Sequence, residues 1–293
     1  MKKFLFYISK LILIVITALC AVDFLYTKVY QNSSPRTKFQ LLLSNRNQKI
    51  DNVFLGSSRV ENNIVTEIIE KETGEKALNL GFQASKCNDI YIILLLLKEY
   101  NIKTKRIFIQ MDYNYNLNGN SEILQYEMRP FMRDNEIIKS YFFNINSDFN
   151  LNYYVPFYRF ARNDLKLGFR EMFLNLVNKK TNIIKQKGYV PLYGCIKNNH
   201  IKLPNKINSN NIYFEKIQKY VEQNKLNVIY FCAPYCKNTK NLDFIDKLKT
   251  KVPNLVDFSS AIKIDSEFQN NSHLNNIGAK RFTEIVVKKC ILN

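Results

Sequence analysis

Short apolar runs alternate with helix-length segments through much of this chain, and that alternation is what most constrains its fold. The runs lie at Asn52 to Leu55, Lys76 to Leu80, Arg106 to Met111, Asn227 to Ala233 and Asn254 to Phe258. Strands that alternate with crossover helices form a parallel sheet covered on both faces. The sequence therefore predicts a three-layer α/β/α, flavodoxin-like domain with a central parallel sheet of about five strands.

Three segments between and after these runs have the pattern of helices. Val65 to Thr73 is followed by Gly74, a residue that commonly ends helices. Asn88 to Tyr100 is strongly apolar, which predicts a largely buried helix, and a last helix is expected from about Ile277 to Cys290.

The N-terminus has the composition of a membrane-spanning helix. Lys2 and Lys3 precede a mainly apolar stretch from Phe4 to Tyr26, and a helix of roughly 20 apolar residues crosses a bilayer. The positive-inside rule predicts a single-pass protein of the cell membrane whose C-terminal domain is extracytoplasmic. A cleaved signal peptide with Leu11 to Val22 as its apolar region is the alternative.

Composition changes along the chain predict its domains. We expect a membrane anchor at residues 1–27, a stalk at 28–49 and the α/β domain at 50–293. Within that domain, residues from about 117 to 211 are aromatic, rich in Asn and basic, which indicates an insertion. Two interpretations of the insertion remain open: a lid over a substrate such as a carbohydrate, or a hydrophobic subdomain that covers the sheet.

The charge balance narrows the expected partners. The chain has 43 Lys and Arg against 25 Asp and Glu, a formal net charge of +18. The basic residues are spread along the sequence, so no nucleic-acid partner is predicted. A solvated lysine surface explains this composition, and a surface facing anionic lipids or envelope polymers is the alternative. The cysteines outside the predicted anchor lack metal-ligand spacing, so neither a metal nor a cofactor is predicted, and one disulfide is compatible with the sequence.

Two segments far apart in the chain contain residues suited to nucleophilic catalysis. The first predicted strand ends in Gly56-Ser57-Ser58, which places the hydroxyl of Ser58 at the mouth of the sheet. His273 precedes the last predicted helix and is expected at the same edge, where it can act as the base for Ser58. Expected oxyanion donors are the backbone amides of Ser58 and Gly81 and the side-chain amide of Asn114.

These residues resemble motifs of the SGNH/GDSL hydrolase-like superfamily, in particular the membrane-anchored bacterial branch that includes the D-alanine transfer protein of teichoic acid modification. The family's nucleophile turn matches Gly56-Ser57-Ser58, and its oxyanion glycine matches Gly81 in Asn79-Leu80-Gly81. Its Gly-x-Asn-Asp block is matched only at Asn114. The resemblance implies that Ser58 is the nucleophile and that His273 is the base.

The last motif departs from the family pattern. The usual Asp-x-x-His is Asn270-Asn271-Ser272-His273 here, so Asn270 stands where the carboxylate that orients the base is expected. Three explanations are open: a Ser-His dyad held by Asn270 or a backbone carbonyl, a carboxylate supplied by Asp265 or Glu267, or a site that has lost hydrolysis. In serine proteases the corresponding Asp-to-Asn exchange costs about 10⁴ in turnover.

The resemblance implies an activity as well as a fold. It suggests an SGNH acyl esterase or O-acyltransferase that acts through an acyl-enzyme on an acylated carbohydrate or related envelope polymer, with no cofactor. The membrane and a membrane acyltransferase are the other partners it implies. The alternative is a noncatalytic envelope assembly or glycan-binding protein with a degenerate SGNH site.

Overall fold

The central sheet of the protein has five parallel strands, as predicted. A computed structural model describes residues 1–145, 148–195 and 201–292. The strands are β1 Lys49–Gly56, β2 Ala77–Gly81, β3 Lys103–Gln110, β4 Val228–Cys232 and β5 Val256–Asp257. Their order is β2-β1-β3-β4-β5 with parallel pairing throughout. This is the flavodoxin-like order, in which the connections change direction between β1 and β3 and leave a crevice at the carboxyl ends of those strands.

Helices precede, connect and follow the strands, and a short antiparallel pair lies near the C-terminus. The pair consists of β6 Phe268–Asn270 and β7 His273–Leu274. The helices are α1 Lys2–Asn32, α2 Lys38–Ser44, α3 Ser58–Glu61, α4 Thr66–Thr73, α5 Cys87–Glu99, α6 Glu122–Met128, α7 Glu136–Ile145, α8 Phe149–Tyr154, α9 Tyr158–Ala161, α10 Asp164–Leu167, α11 Phe169–Leu176, α12 Asn182–Lys185, α13 Ile212–Gln223, α14 Phe244–Lys249 and α15 Asn276–Val286. Shorter turns of 3-10 helix lie at Tyr113–Asn116, Arg129–Phe131 and Asp265–Glu267, and a π-helical turn at Val287–Ile291 follows α15.

The sheet forms where the sequence has continuous apolar runs, because strands covered on both faces need apolar side chains on both. The last five residues of β1 are all buried, and Phe54 stacks on Phe108 of β3 with ring centroids 4.4 Å apart. Gly74 ends α4 with a φ of 70°, a left-handed conformation that favours glycine. At the start of α5, Asp89 accepts a hydrogen bond from the backbone N–H of Lys86 at 2.9 Å.

The chain divides into two compact units. The first unit contains Met1–Arg36 and Gln125–Lys180, and the second contains Thr37–Leu124 and Thr181–Asn293. The sheet and both strands of the short antiparallel pair belong to the second unit. The sequence-based division into anchor, stalk, α/β domain and insertion stays a prediction.

The first unit is built around α1, a helix of 31 residues that is long and apolar enough to cross a membrane. The N-terminal two thirds of α1 are exposed, whereas Tyr26, Val29 and Tyr30 are buried. These three side chains pack with Phe160 and with Leu167 and Met172 of the same unit. The C-terminal third of α1 is therefore part of a protein core.

A buried carboxylate on α1 adds a polar connection to this core. Asp23 is 4% exposed, and its Oδ1 accepts from Arg159 at 2.8 Å and from Arg133 at 3.1 Å. Its Oδ2 accepts from the backbone N–H of Phe157 at 2.6 Å. Arg159, itself 1% exposed, also donates to Thr27 Oγ1 at 2.6 Å. Because both charges are buried, removal of Asp23 leaves the Arg159 guanidinium without its carboxylate partner.

We expect Asp23→Ala to destabilise the first unit by about 3–5 kcal/mol, because it leaves the Arg159 guanidinium buried and unpaired. Asp134→Ala is the matched control, since Asp134 is exposed and accepts from Gln31 at the surface; its expected cost is below about 1 kcal/mol. Thermal unfolding of the full chain in detergent measures the difference. Equal melting temperatures for the two variants would show that the Asp23 pair does not stabilise the unit.

Candidate active site

The turn between β1 and α3 is held tightly against the end of β3. Gly56 ends β1, and Ser57 is the N-cap of α3, with its Oγ accepting from the N–H of Arg59 at 3.3 Å. The backbone N–H and the hydroxyl of Ser57 both donate to Gln110 Oε1, at 2.8 and 2.9 Å. A Cβ on Gly56 would lie 2.6 Å from that same oxygen, so only glycine fits. These contacts fix the start of α3, where Ser58 stands.

The structure brings Ser58 and His273 into direct contact. Ser58 Oγ lies 2.7 Å from His273 Nε2, although the residues are 215 positions apart in the chain. Ser58 begins the helix after β1, and His273 begins β7. A hydroxyl within hydrogen-bond distance of an imidazole nitrogen is the arrangement required for a serine nucleophile and its general base.

Asn270 determines which nitrogen of His273 carries the proton. The side-chain oxygen of Asn270 accepts from the backbone N–H groups of Ser272 and His273, both at 3.0 Å, so the atom facing them is the acceptor oxygen. The same oxygen lies 3.0 Å from His273 Nδ1, which must therefore be the protonated nitrogen. His273 Nε2 is then free of a proton and accepts from the hydroxyl of Ser58, as a general base requires.

Neither of the carboxylates considered from the sequence contacts the imidazole. Asp265 pairs with Lys237 at 3.0 Å and accepts from the thiol of Cys236. Glu267 pairs with Arg281 at 3.0 Å. The geometry therefore contradicts the second of the three explanations for the missing acid, and Asn270 is the residue that holds the imidazole.

Burial and a neighbouring cation disfavour the charged form of His273. Burial and, to a smaller extent, the positive charge of Arg59 lower the pKa of the imidazole to about 4, against a still smaller opposing effect of Asp112. The imidazole is therefore neutral at pH 7 and available to accept a proton. It is also a weak base, because no carboxylate contacts the imidazolium that would form.

Arg59 connects the segments that surround the site. It is fully buried, and its Nε donates to the carbonyl of Ser272 at 3.0 Å. One terminal nitrogen pairs with Asp112 after β3, and the other donates to the carbonyls of Ala233 and Pro234 after β4, at 2.7 and 2.6 Å. These donors of Arg59 are directed at protein acceptors, which gives the side chain a structural role.

The two other predicted oxyanion donors are engaged within the protein. The N–H of Gly81 donates to the side-chain oxygen of Asn79 at 3.0 Å. A Cβ on Gly81 would lie 2.7 Å from Val60 Cβ and 2.8 Å from the carbonyl of Ser57, so this glycine permits β2 to approach α3. The side-chain amide of Asn114 donates weakly to the carbonyl of Gln110 at 3.4 Å.

The turn after β2 contains a residue that sequence analysis did not select. Ala84 has a φ of 58°, a left-handed conformation that is uncommon for residues other than glycine. It is exposed, and in the part of the chain that the structure describes its N–H donates to no acceptor. The sequence alone does not predict this turn, because alanine, unlike glycine or asparagine, has no preference for the left-handed conformation.

We expect the imidazole of His273 to titrate with a midpoint near pH 4, since burial and Arg59 both disfavour its charged form. NMR of the full chain carrying His200→Gln isolates this signal, because the chain has only two histidines, and His200 lies outside the described residues. The rate of any reaction that uses neutral His273 as its base increases as the pH rises through about 4 and is constant above that pH. A midpoint near the ordinary value of 6.5 would contradict this environment.

Comparisons with known proteins do not assign a family. No protein-family model matches the chain, and no curated protein matches it. A solved structure named provisionally as a platelet activating factor from Streptococcus pneumonia is 11% identical, with 96% of this chain and 97% of the other covered. Its TM-score is 0.35, which is too low to carry a functional inference, so the function has to be argued from the side chains of the site.

Proposed function

We propose that this protein is a serine acyl esterase or O-acyltransferase of the SGNH type. The single observation that carries the proposal is the contact of Ser58 Oγ with His273 Nε2 at 2.7 Å, with Asn270 accepting from the opposite nitrogen. The site lies at the carboxyl ends of β1 and β3, where open parallel sheets bind their ligands.

In the proposed mechanism, Ser58 Oγ attacks the carbonyl carbon of an acyl ester while its proton passes to His273 Nε2. The imidazolium then gives that proton to the leaving alcohol oxygen as the ester bond breaks, and an acyl-serine remains. Water or a sugar hydroxyl then attacks the acyl-serine while His273 takes the proton of the attacking group. The imidazolium gives that proton to Ser58 Oγ as the acyl–serine bond breaks, which regenerates the free site. Throughout, Asn270 holds the Nδ1 proton in place.

Oxyanion stabilisation requires N–H donors aimed at the carbonyl oxygen as it becomes negative. The backbone N–H of Ser58, at the start of α3, is the first proposed donor. The N–H of Gly81, the second predicted donor, already donates to the side-chain oxygen of Asn79. It can bind an oxyanion only if that hydrogen bond breaks. Asn114 contributes only if its weak hydrogen bond to the carbonyl of Gln110 is broken.

The proposed substrate is an acylated envelope polysaccharide or related polymer, such as an acetylated one. Two observations support this class. An N-terminal helix long enough to cross a membrane is consistent with an extracytoplasmic domain of a membrane-anchored protein, and a net charge of +18 favours anionic polymers. A membrane acyltransferase that supplies the acyl group is the proposed partner for the transfer reaction.

A noncatalytic glycan-binding or envelope assembly protein is the second candidate, and Asn270 is the observation that favours it. An amide does not stabilise an imidazolium as a carboxylate does, and the pKa of His273 is already lowered to about 4. The two candidates differ in whether Ser58 reacts.

We expect the full chain in detergent to form a single covalent adduct with a fluorophosphonate, detected by intact mass. Ser58→Ala should abolish the adduct, because it removes the attacking oxygen. Ser140→Ala is the control: it removes an exposed hydroxyl of α7 and should leave the adduct on Ser58. A folded wild-type protein without an adduct, or an adduct that persists in Ser58→Ala, would favour the binding role.

We expect Asn270→Asp to raise both the fluorophosphonate labelling rate and the pKa of His273. A carboxylate at this position can accept hydrogen bonds from the same three N–H groups and can also stabilise the imidazolium. In serine proteases this stabilisation increases turnover by up to about 10⁴-fold. Asn271→Asp, one residue away, is the matched control for added charge. No increase with Asn270→Asp, or an equal one with Asn271→Asp, would show that Asn270 does not limit the reaction.

A further inference from the structure

The exposed and buried parts of α1 meet at a defined level. Every residue from Phe4 to Val22 is exposed, and burial begins at Asp23. At 1.5 Å per residue, Phe4 to Val22 is about 28 Å long, close to the thickness of a bilayer's hydrocarbon core. If α1 crosses a membrane, as proposed above, residues from Asp23 to about Tyr30 lie at the level of the lipid headgroups.

The first unit holds this part of α1 in a fixed position. Asp23 pairs with Arg159 and Arg133, and Tyr26 packs edge-on against Phe157 with ring centroids 5.0 Å apart. Tyr30 stacks on Phe160. The depth of α1 in a membrane therefore determines the depth of the segments that pack on it.

Helix α11 is one of those segments, and its two faces differ. Met172 is buried in the core that contains Tyr26 and Tyr30, and Asn175 Oδ1 accepts from Ser33 at the end of α1 at 2.9 Å. The opposite side carries large apolar side chains that are exposed by about half or more. This apolar face consists of Leu165, Phe169, Phe173, Leu176 and Val177, with exposed fractions of 94, 66, 48, 56 and 52%.

The spacing and surroundings of the apolar face are those of an interfacial helix. Phe169, Phe173 and Leu176 recur at helical intervals, and the two phenyl rings stack with centroids 6.3 Å apart. Exposed cations flank them: Arg162, Lys166, Arg170, Lys179 and Lys180. A helix with apolar and basic surfaces lies in the plane of the headgroups and binds anionic lipids.

We propose that the apolar face of α10 and α11 lies in the headgroup layer of the membrane that α1 crosses, with the flanking cations on anionic lipid. The proposal rests on the membrane-spanning role of α1 and is independent of the chemistry at Ser58. Its basis is the packing of Met172 of α11 with Tyr26 and Tyr30, just beyond the apolar span, together with the exposed phenyl rings that α11 carries.

The absence of tryptophan from the chain allows a direct test. Phe173→Trp gives the full chain a single tryptophan on the apolar face. Ile212→Trp is the control, since Ile212 begins α13 in the second unit and is 63% exposed. Each variant is reconstituted into vesicles of phosphatidylcholine and phosphatidylglycerol whose acyl chains are brominated close to the headgroup. Both leaflets contain the quencher, so the orientation of the protein does not affect the comparison.

For Phe173→Trp we expect blue-shifted emission and a loss of roughly half the intensity to brominated lipid, because an interfacial side chain contacts the upper acyl chain. The tryptophan of Ile212→Trp should emit like a solvated indole and lose little of its intensity to brominated lipid. Equal quenching of the two variants would overturn the proposal. A blue shift for Phe173→Trp without quenching would also overturn it, since that result places the apolar face against protein, such as a second copy of the chain.

Discussion

The buried guanidinium of Arg59 is the group on which the arrangement of the site depends. A cation without access to water is tolerated only when its donors find acceptors, and those acceptors come from the ends of β3 and β4 and from the turn before β7. The guanidinium also lies 3.6 Å from the ring centroid of Tyr235. Ser58 precedes Arg59 and His273 follows Ser272, so one side chain brings the hydroxyl and the imidazole to a common position. The short distance between them is a consequence of satisfying the cation.

The same cation has an electrostatic consequence for the chemistry. A positive charge close to His273 disfavours the imidazolium, and burial does so more strongly. A carboxylate at position 270 would oppose both effects, whereas the amide of Asn270 orients the ring without changing its charge. Asn270 and the low pKa of His273 are thus consistent with each other: both keep the imidazole neutral. The site therefore presents a correctly oriented but weak base.

The parts of the fold that could be predicted are those in which local sequence and tertiary environment agree. Buried parallel strands produce apolar runs, and Gly74 ends α4 as expected. The sequence predicts that Ser58 and His273 lie at the same edge of the sheet because Ser58 follows β1 directly and His273 comes shortly before the last helix. Three features could not be predicted: the hydrogen bond from Gly81 to Asn79, the left-handed turn at Ala84, and the packing of α1 with residues 125–180. The packing of α1 depends on contacts between distant segments, and the two local features lack a residue type that would mark them in the sequence.

Each unit of the chain contains a buried ion pair, and the two pairs have a common physical role. Asp23 joins α1 to Arg159 in the first unit, and Arg59 joins α3 to Asp112 in the second. Apolar residues of similar volume often replace such pairs without loss of stability, so the pairs are weak evidence for stabilisation. They are directional, however, because each charged atom has to meet a particular partner. A slip of one helical turn would separate Asp23 from the backbone N–H of Phe157, and a shift of the turn after β1 would separate Arg59 from its carbonyl acceptors. In both units the pair therefore selects one alignment among several that apolar packing alone would permit.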